Sequence, residues 1–182
     1  MLKKKIPNYL TILRGLLTVI IIILFFTPWS LSYVIIFILF LIACLTDWLD
    51  GYLARQWQVV SNFGKIFDPL FDKILTISLY FLLNYALGGL FTIIFILLII
   101  RELVVDGLKN YMLSKHEVTP AIKTAKVKTT CQMLMLTCLL AFLVWPKIQL
   151  LLIGYFFGLG ALIMAYWSGW SYFQKFLKHY KK

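Results

Sequence analysis

Seven of the 182 residues are acidic. Six of them, Asp47, Asp50, Asp68, Asp72, Glu102 and Asp106, lie within or at the ends of apolar stretches, and Glu117 stands in a polar connection. An Asp at the centre of a membrane span costs about 2.5–3.5 kcal/mol, and such residues usually mark function. Spacing orders four of them. Asp47, Asp50, Gly51 and Ala54 stand at i, i+3, i+4 and i+7, which on a helix is one face carrying two carboxylates and then two small residues. Gly64, Asp68 and Asp72 stand at i, i+4 and i+8, a second single face. The connection between them, residues 56–63, is short enough to make the two helices antiparallel neighbours. The two faces can then meet and bring four carboxylates together near one membrane surface.

Four negative charges in one place require cations. Arg55, Lys65 and Lys73 each stand beside a residue of these faces and could neutralise part of the cluster. Two divalent cations would balance all four charges. All-oxygen donors favour Mg²⁺ or Mn²⁺ over zinc. No histidine stands nearby: His116 falls in a connection and His179 in the C-terminal tail, both expected to be solvated. Two other readings stay open. The acids could form buried ion pairs with the neighbouring basic residues, or they could line a path for protons or divalent cations, as in a transporter. Gly51 and Ala54 weigh against both, because small side chains there leave space beside the acids for a ligand. As plain structure, the same two residues would serve close helix packing. Pro69 directly follows Asp68; inside a helix it removes a hydrogen bond and is expected to kink the span.

The elements that must position these acids follow from composition. The chain is 62% hydrophobic, too apolar for a water-soluble fold of this size. Its charge-free runs extend into six candidate spans at roughly 8–27, 31–55, 64–86, 89–113, 123–144 and 148–174. These spans and their short loops use up the chain, leaving a single membrane domain over residues 1–182. The expected fold is therefore all-α: a polytopic membrane protein with six transmembrane helices. The stretch Lys3–Arg14 mixes basic residues with Ile6, Tyr9, Leu10 and Leu13, as an interfacial segment before the first span would. Residues 1–26 start like a signal peptide, but the apolar run is too long and no small-residue cleavage site follows. They are expected to be the first span. Cys44, Cys131 and Cys138 are odd in number and lie in or beside apolar runs, as packing residues would.

The net charge of +11 could suggest nucleic acid. Its distribution says otherwise. With the N-terminus in the cytoplasm, Lys3–Lys5, Arg55, Lys109, Lys115, Lys123, Lys126, Lys128 and the Lys175–Lys182 tail fall on the inner side. The outer loops carry only Lys147. That is a positive-inside bias, not a nucleic-acid surface. The inner lysines also suit anionic lipid headgroups. The carboxylate cluster then faces the cytoplasm.

The stretch from Asp47 to Asp72 fits D-x-x-D-G-x-x-A-R-x(8)-G-x-x-x-D-x-x-x-D without a gap. This resembles the signature of the CDP-alcohol phosphotransferase family. Length and span layout extend the resemblance over essentially the whole chain. Within that family the chain is similar to the bacterial phosphatidylglycerophosphate synthases. Ile6-Pro7-Asn8, Leu10-Thr11 and Arg14 match their opening I-P-N-x-L-T-x-x-R. Arg101-Glu102 with Gly107-Leu108 resembles G-R-E-x-x-x-S-G-L-R, and Lys126, Lys128-Thr129 and Gln132-Met133 resemble G-K-x-K-T-x-x-Q-M. Ile100, Asp106, Lys109 and Ala125 depart from these patterns.

The resemblance implies transfer of a phosphatidyl group from CDP-diacylglycerol to glycerol 3-phosphate, with two divalent cations, in a homodimer of the bacterial inner membrane. It implies metal ligation by Asp47, Asp50, Asp68 and Asp72, with Asp72 also the general base for the acceptor hydroxyl. Gly51, Ala54, Arg55 and Gly64 match the CDP-binding positions. The dianionic acceptor needs further cations, for which Arg101, Lys109, Lys126 and Lys128 are candidates, with Arg14 behind them. Arg101 could instead pair with Glu102 or Asp106, and the lysines could simply belong to a positive-inside loop. Another acceptor within the family stays open: phosphatidylglycerol, as in a cardiolipin synthase, or serine or inositol phosphate.

Overall fold

A computed structural model describes residues 2–27, 31–57, 62–115 and 123–180. The side chains of Ala54, Arg55, Lys65 and His179, and all of His116 and Glu117, lie outside what it describes. The described chain is six helices: α1 (Leu2–Phe26), α2 (Ser32–Trp57), α3 (Asn62–Leu87), α4 (Gly89–Ser114), α5 (Lys123–Val144) and α6 (Ile148–Tyr180). Their ends fall close to the spans read from hydropathy, because in a bilayer each apolar run must satisfy its backbone internally and does so as a helix. Five contain segments long and apolar enough to cross a membrane: Asn8–Phe26, Ser32–Leu53, Phe67–Leu87, Thr124–Val144 and Ile148–Leu177. The sixth, α4, is also 26 residues long but carries Arg101, Glu102, Asp106 and Lys109 from its midpoint onward. The chain is an integral membrane protein. The Lys3–Arg14 stretch is not a separate element. It is helical and continuous with the first span, since nothing after Pro7 interrupts the helix and Pro7 lies near its start, where a missing amide is easily tolerated. Pro69 sits inside α3 and the helix runs through it.

The chain divides into two compact units, Met1–Leu82 and Leu83–Lys182. In the first, α1 packs on α2. Its apolar core includes Leu17, Ile21, Ile36, Phe40, Ala43, Leu75 and Leu79, all buried. Gly15 lets α3 approach: a Cβ there would stand 2.9 Å from the Phe71 ring. That close approach brings the segment holding Asp68 and Asp72 against the α1 face that carries Arg14.

In the second unit, α6 packs against both α5 and α4. It does so through small residues: Gly154, Gly158, Ala161, Ala165 and Ser168 repeat at helical spacing and are all buried. A Cβ on Gly154 would overlap Leu139 of α5 at 2.5 Å, and one on Gly158 would press on Met135 at 2.9 Å. α4 opens with a tight turn at Gly88 and Gly89, with φ of 55° and 52°, a conformation that side chains with a Cβ rarely adopt.

Both units are inverted relative to a soluble protein. Leu16, Ile23, Leu103, Ile163 and Trp167 are exposed, while Arg14, Asp50, Arg101, Lys128 and Gln132 are buried. Apolar outside and charged inside is the distribution a hydrocarbon solvent selects.

Candidate active site

The first unit gathers the acids of the signature around one cation. Arg14 is completely buried. Its Nη2 lies 2.9 Å from Asp47 Oδ1 and also donates to Asp50 Oδ2, while Nη1 donates to Asp72 Oδ1. Three residues earlier on α1, Thr11 Oγ1 donates to Asp68 Oδ1. One face of α1 thus meets all four aspartates: a hydroxyl on Asp68 and a guanidinium on the other three. The backbone around them is secured locally. Thr18 Oγ1 donates to the Arg14 carbonyl and Thr76 Oγ1 to the Asp72 carbonyl, each at 2.8 Å.

The cluster is graded in burial. The side chain of Asp50 is 10% exposed, whereas those of Asp47 and Asp72 are 52% and 41% exposed. The half-open carboxylates therefore flank a buried one and can be reached from outside. Beside Asp50, a Cβ added to Gly51 would meet no atom of another segment within 4 Å. Packing does not fill the space at Gly51. Gly64, at the start of α3, is buried.

This donor set fits hard divalent cations in its chemistry: four carboxylates, all oxygen, three of them already converging on a positive group. As they stand, the described acidic, His and Cys side chains form no group of three closed round a single metal-sized point, because the guanidinium lies between the three carboxylates it joins.

The second unit holds a separate polar cluster made from the other acids and cations of the sequence. Arg101 of α4 donates from Nε to the Ala165 carbonyl at 2.7 Å and from Nη2 to Ser168 Oγ at 2.6 Å. These bonds run to α6 and not along α4 to Glu102 or Asp106. Glu102 Oε1 accepts from Lys128 Nζ at 2.6 Å and from Gln132 Nε2 at 3.0 Å, both on α5. Lys109 Nζ lies 4.7 Å above the centre of the buried Tyr172 ring, a cation–π contact. Lys126 is exposed. Of the cations considered for the acceptor, Arg101 and Lys128 thus also make helix–helix contacts, and Arg14 meets the carboxylate cluster. Cys44, Cys131 and Cys138 are free and half-buried, in keeping with packing.

Sequence reasoning did not connect Thr11 or Arg14 with the four carboxylates. A signal was present. Thr11, Arg14 and Thr18, spaced three and four apart, form a polar stripe in the otherwise apolar stretch of α1 from Leu10 to Phe26. Such a stripe in a span must face other polar groups.

Three relatives align with the chain over most of its length. The protein of Pseudomonas fluorescens is 38% identical over 184 residues, covering 97% of this chain and 92% of the relative. That of Rickettsia felis is 37% identical over 137 residues, 75% of each chain. That of Haemophilus influenzae is 34% identical over 177 residues, 95% of this chain and 94% of the relative. Each is named a CDP-diacylglycerol–glycerol-3-phosphate 3-phosphatidyltransferase. The family model described as CDP-alcohol phosphatidyltransferase matches residues 4–167, from α1 through the carboxylate cluster and the Arg101–Gln132 segment into α6, and the chain belongs to that family.

Proposed function

We propose that the protein transfers a phosphatidyl group from CDP-diacylglycerol to sn-glycerol 3-phosphate, releasing CMP and forming phosphatidylglycerophosphate. The observation that carries this reading is the convergence of the four signature aspartates on one face of α1. The names of the relatives support the choice of donor and acceptor. The family is generally dependent on divalent cations.

In this reading a single domain, residues 1–182, works as a homodimer in the bacterial inner membrane with its site toward the cytoplasm. The positive-inside distribution of lysines supports that orientation. Asp47, Asp50, Asp68 and Asp72 would hold two divalent cations, Mg²⁺ or Mn²⁺. When bound, such ions neutralise and polarise a diphosphate. The acceptor hydroxyl oxygen forms a bond to the lipid-side phosphorus. The bond from that phosphorus to the CMP oxygen breaks, and CMP leaves with the electron pair. The hydroxyl proton passes to a carboxylate oxygen of Asp72, whose half-exposed side chain can be reached by the acceptor. Gly51 and Gly64, lacking side chains, admit the nucleotide closely, beside Ala54. Arg55 is the proposed fork for a phosphate of the donor. Arg101, Lys109, Lys126 and Lys128 are the proposed cations for the acceptor phosphate. Among them Lys126 is exposed.

The test is acceptor choice. Purified full-length protein is given CDP-diacylglycerol with Mg²⁺ or Mn²⁺ and, in separate reactions, glycerol 3-phosphate, phosphatidylglycerol, serine or inositol phosphate. CMP release is expected with glycerol 3-phosphate alone. Release with another acceptor and none with glycerol 3-phosphate would overturn the substrate assignment.

A further inference from the structure

Arg14 heads the fully buried side chains of the described residues by size. A guanidinium carries five N–H donors and retains its charge wherever it is placed. Here the terminal nitrogens are used on Asp47, Asp50 and Asp72, while Nε is buried with no hydrogen-bond partner. No full set of acceptors therefore encloses this side chain, and three carboxylates hold it by charge. Those carboxylates come from two different helices and would repel one another without it. Lys could not do the same, because it offers one point charge where Arg offers a fork.

We propose that Arg14 is an exchangeable internal cation: it holds Asp47, Asp50 and Asp72 together when no divalent ion is bound, and it competes with that ion for the same oxygens. This rests on the reading of the acids as a divalent-cation site. Two features support exchange over permanent pairing. Among the described residues, four carboxylates gather at one guanidinium, so the carboxylate charge exceeds what Arg14 alone neutralises. Asp47 and Asp72 are half-exposed, so an ion can reach the contested oxygens from outside. Thr11, bonded to Asp68 from the same face of α1, keeps the fourth carboxylate near without adding charge. The consequence is a site that stays assembled without metal and binds metal more weakly than four bare carboxylates would. The apparent affinity falls with the fraction of clusters in which Arg14 leaves the oxygens free.

The experiment measures Mn²⁺ binding to the full-length protein in detergent micelles, with free Mn²⁺ followed by electron paramagnetic resonance. Melting in chelator and in saturating Mn²⁺ is recorded alongside. For Arg14→Gln the half-saturating Mn²⁺ concentration is expected to fall about tenfold or more relative to the parent protein. The same variant should melt lower in chelator and gain more from Mn²⁺ than the parent does. Arg14→Lys keeps the charge with fewer contacts and should fall between the two. If Arg14→Gln does not fold, Arg14→Lys decides, again by tighter binding than the parent. Folded variants that bind Mn²⁺ no more tightly than the parent overturn the proposal while leaving the metal reading intact. A parent protein that binds no Mn²⁺ overturns the metal reading, and this proposal with it.

Discussion

Lys128 Nζ of α5 lies 2.6 Å from Glu102 Oε1 of α4, and both side chains are largely buried. Gln132, one turn after Lys128, donates to the same oxygen at 3.0 Å. The pair links two helices within the second unit. Removing one partner of such a pair leaves the other charge buried without compensation, which typically costs about 3–5 kcal/mol, whereas replacing both with apolar groups of similar shape is far milder. Glu102→Gln is therefore expected to destabilise the protein by an amount in that range. The double replacement Glu102→Leu with Lys128→Met should recover most of the loss. Denaturant unfolding of the parent, Glu102→Leu, Lys128→Met and the double variant in one detergent gives the double-mutant cycle, with Glu102→Gln measured beside them. A Glu102→Gln protein as stable as the parent would show that the ion pair is not holding the unit together.

The sequence pattern made the helices and the acidic faces legible because both are local. Apolar runs the length of a bilayer mark α1, α2 and α3 directly, and the spacing of Asp47 with Asp50 and of Asp68 with Asp72 puts each pair on one face. What stayed hidden were partners far apart in the chain. Arg14 meets Asp50 and Asp72 across separations of 36 and 58 residues. Its proper neighbours depend on how α1 rotates about its axis and how closely α3 can approach at Gly15. Neither follows from spacing along one helix. The same holds for Arg101. Its sequence neighbours Glu102 and Asp106 invite a local ion pair, but its nitrogens reach Ala165 and Ser168, where α6 offers small residues and an accessible carbonyl.

Gly51 separates packing from ligand binding. A glycine in a helix interior weakens the helix by roughly 1 kcal/mol relative to alanine. At this position a Cβ would meet no other segment within 4 Å. If Gly51 serves only structure, Gly51→Ala should be harmless or stabilising in every respect. If it admits the nucleotide, the variant should melt as high as the parent or higher while its KM for CDP-diacylglycerol rises several-fold or more. The two readouts are a thermal melt and initial rates of CMP release against donor concentration. An unchanged KM would assign the space beside Asp50 to something other than the donor.

Asp72 gives the sharpest test of the proton transfer. Its carboxylate is half-exposed and shares Arg14 with Asp47 and Asp50, so the guanidinium keeps two partners when Asp72 is lost. Asp72→Asn should therefore change stability little, within about 1 kcal/mol, as expected for a partly exposed ion pair. Loss of a positioned general base alone lowers turnover by about 10²–10⁴-fold, and loss of a proposed cation ligand adds to that. Turnover of Asp72→Asn should fall at least that far, with CDP-diacylglycerol still bound and the melting curve close to the parent's. Asp68→Asn supplies the comparison: it removes a proposed cation ligand and leaves the proposed base in place, so raising Mn²⁺ should restore more of its activity than that of Asp72→Asn. Equal recovery of both variants at high Mn²⁺ would mean that Asp72 acts on the cation alone, and the acceptor proton would then need another destination.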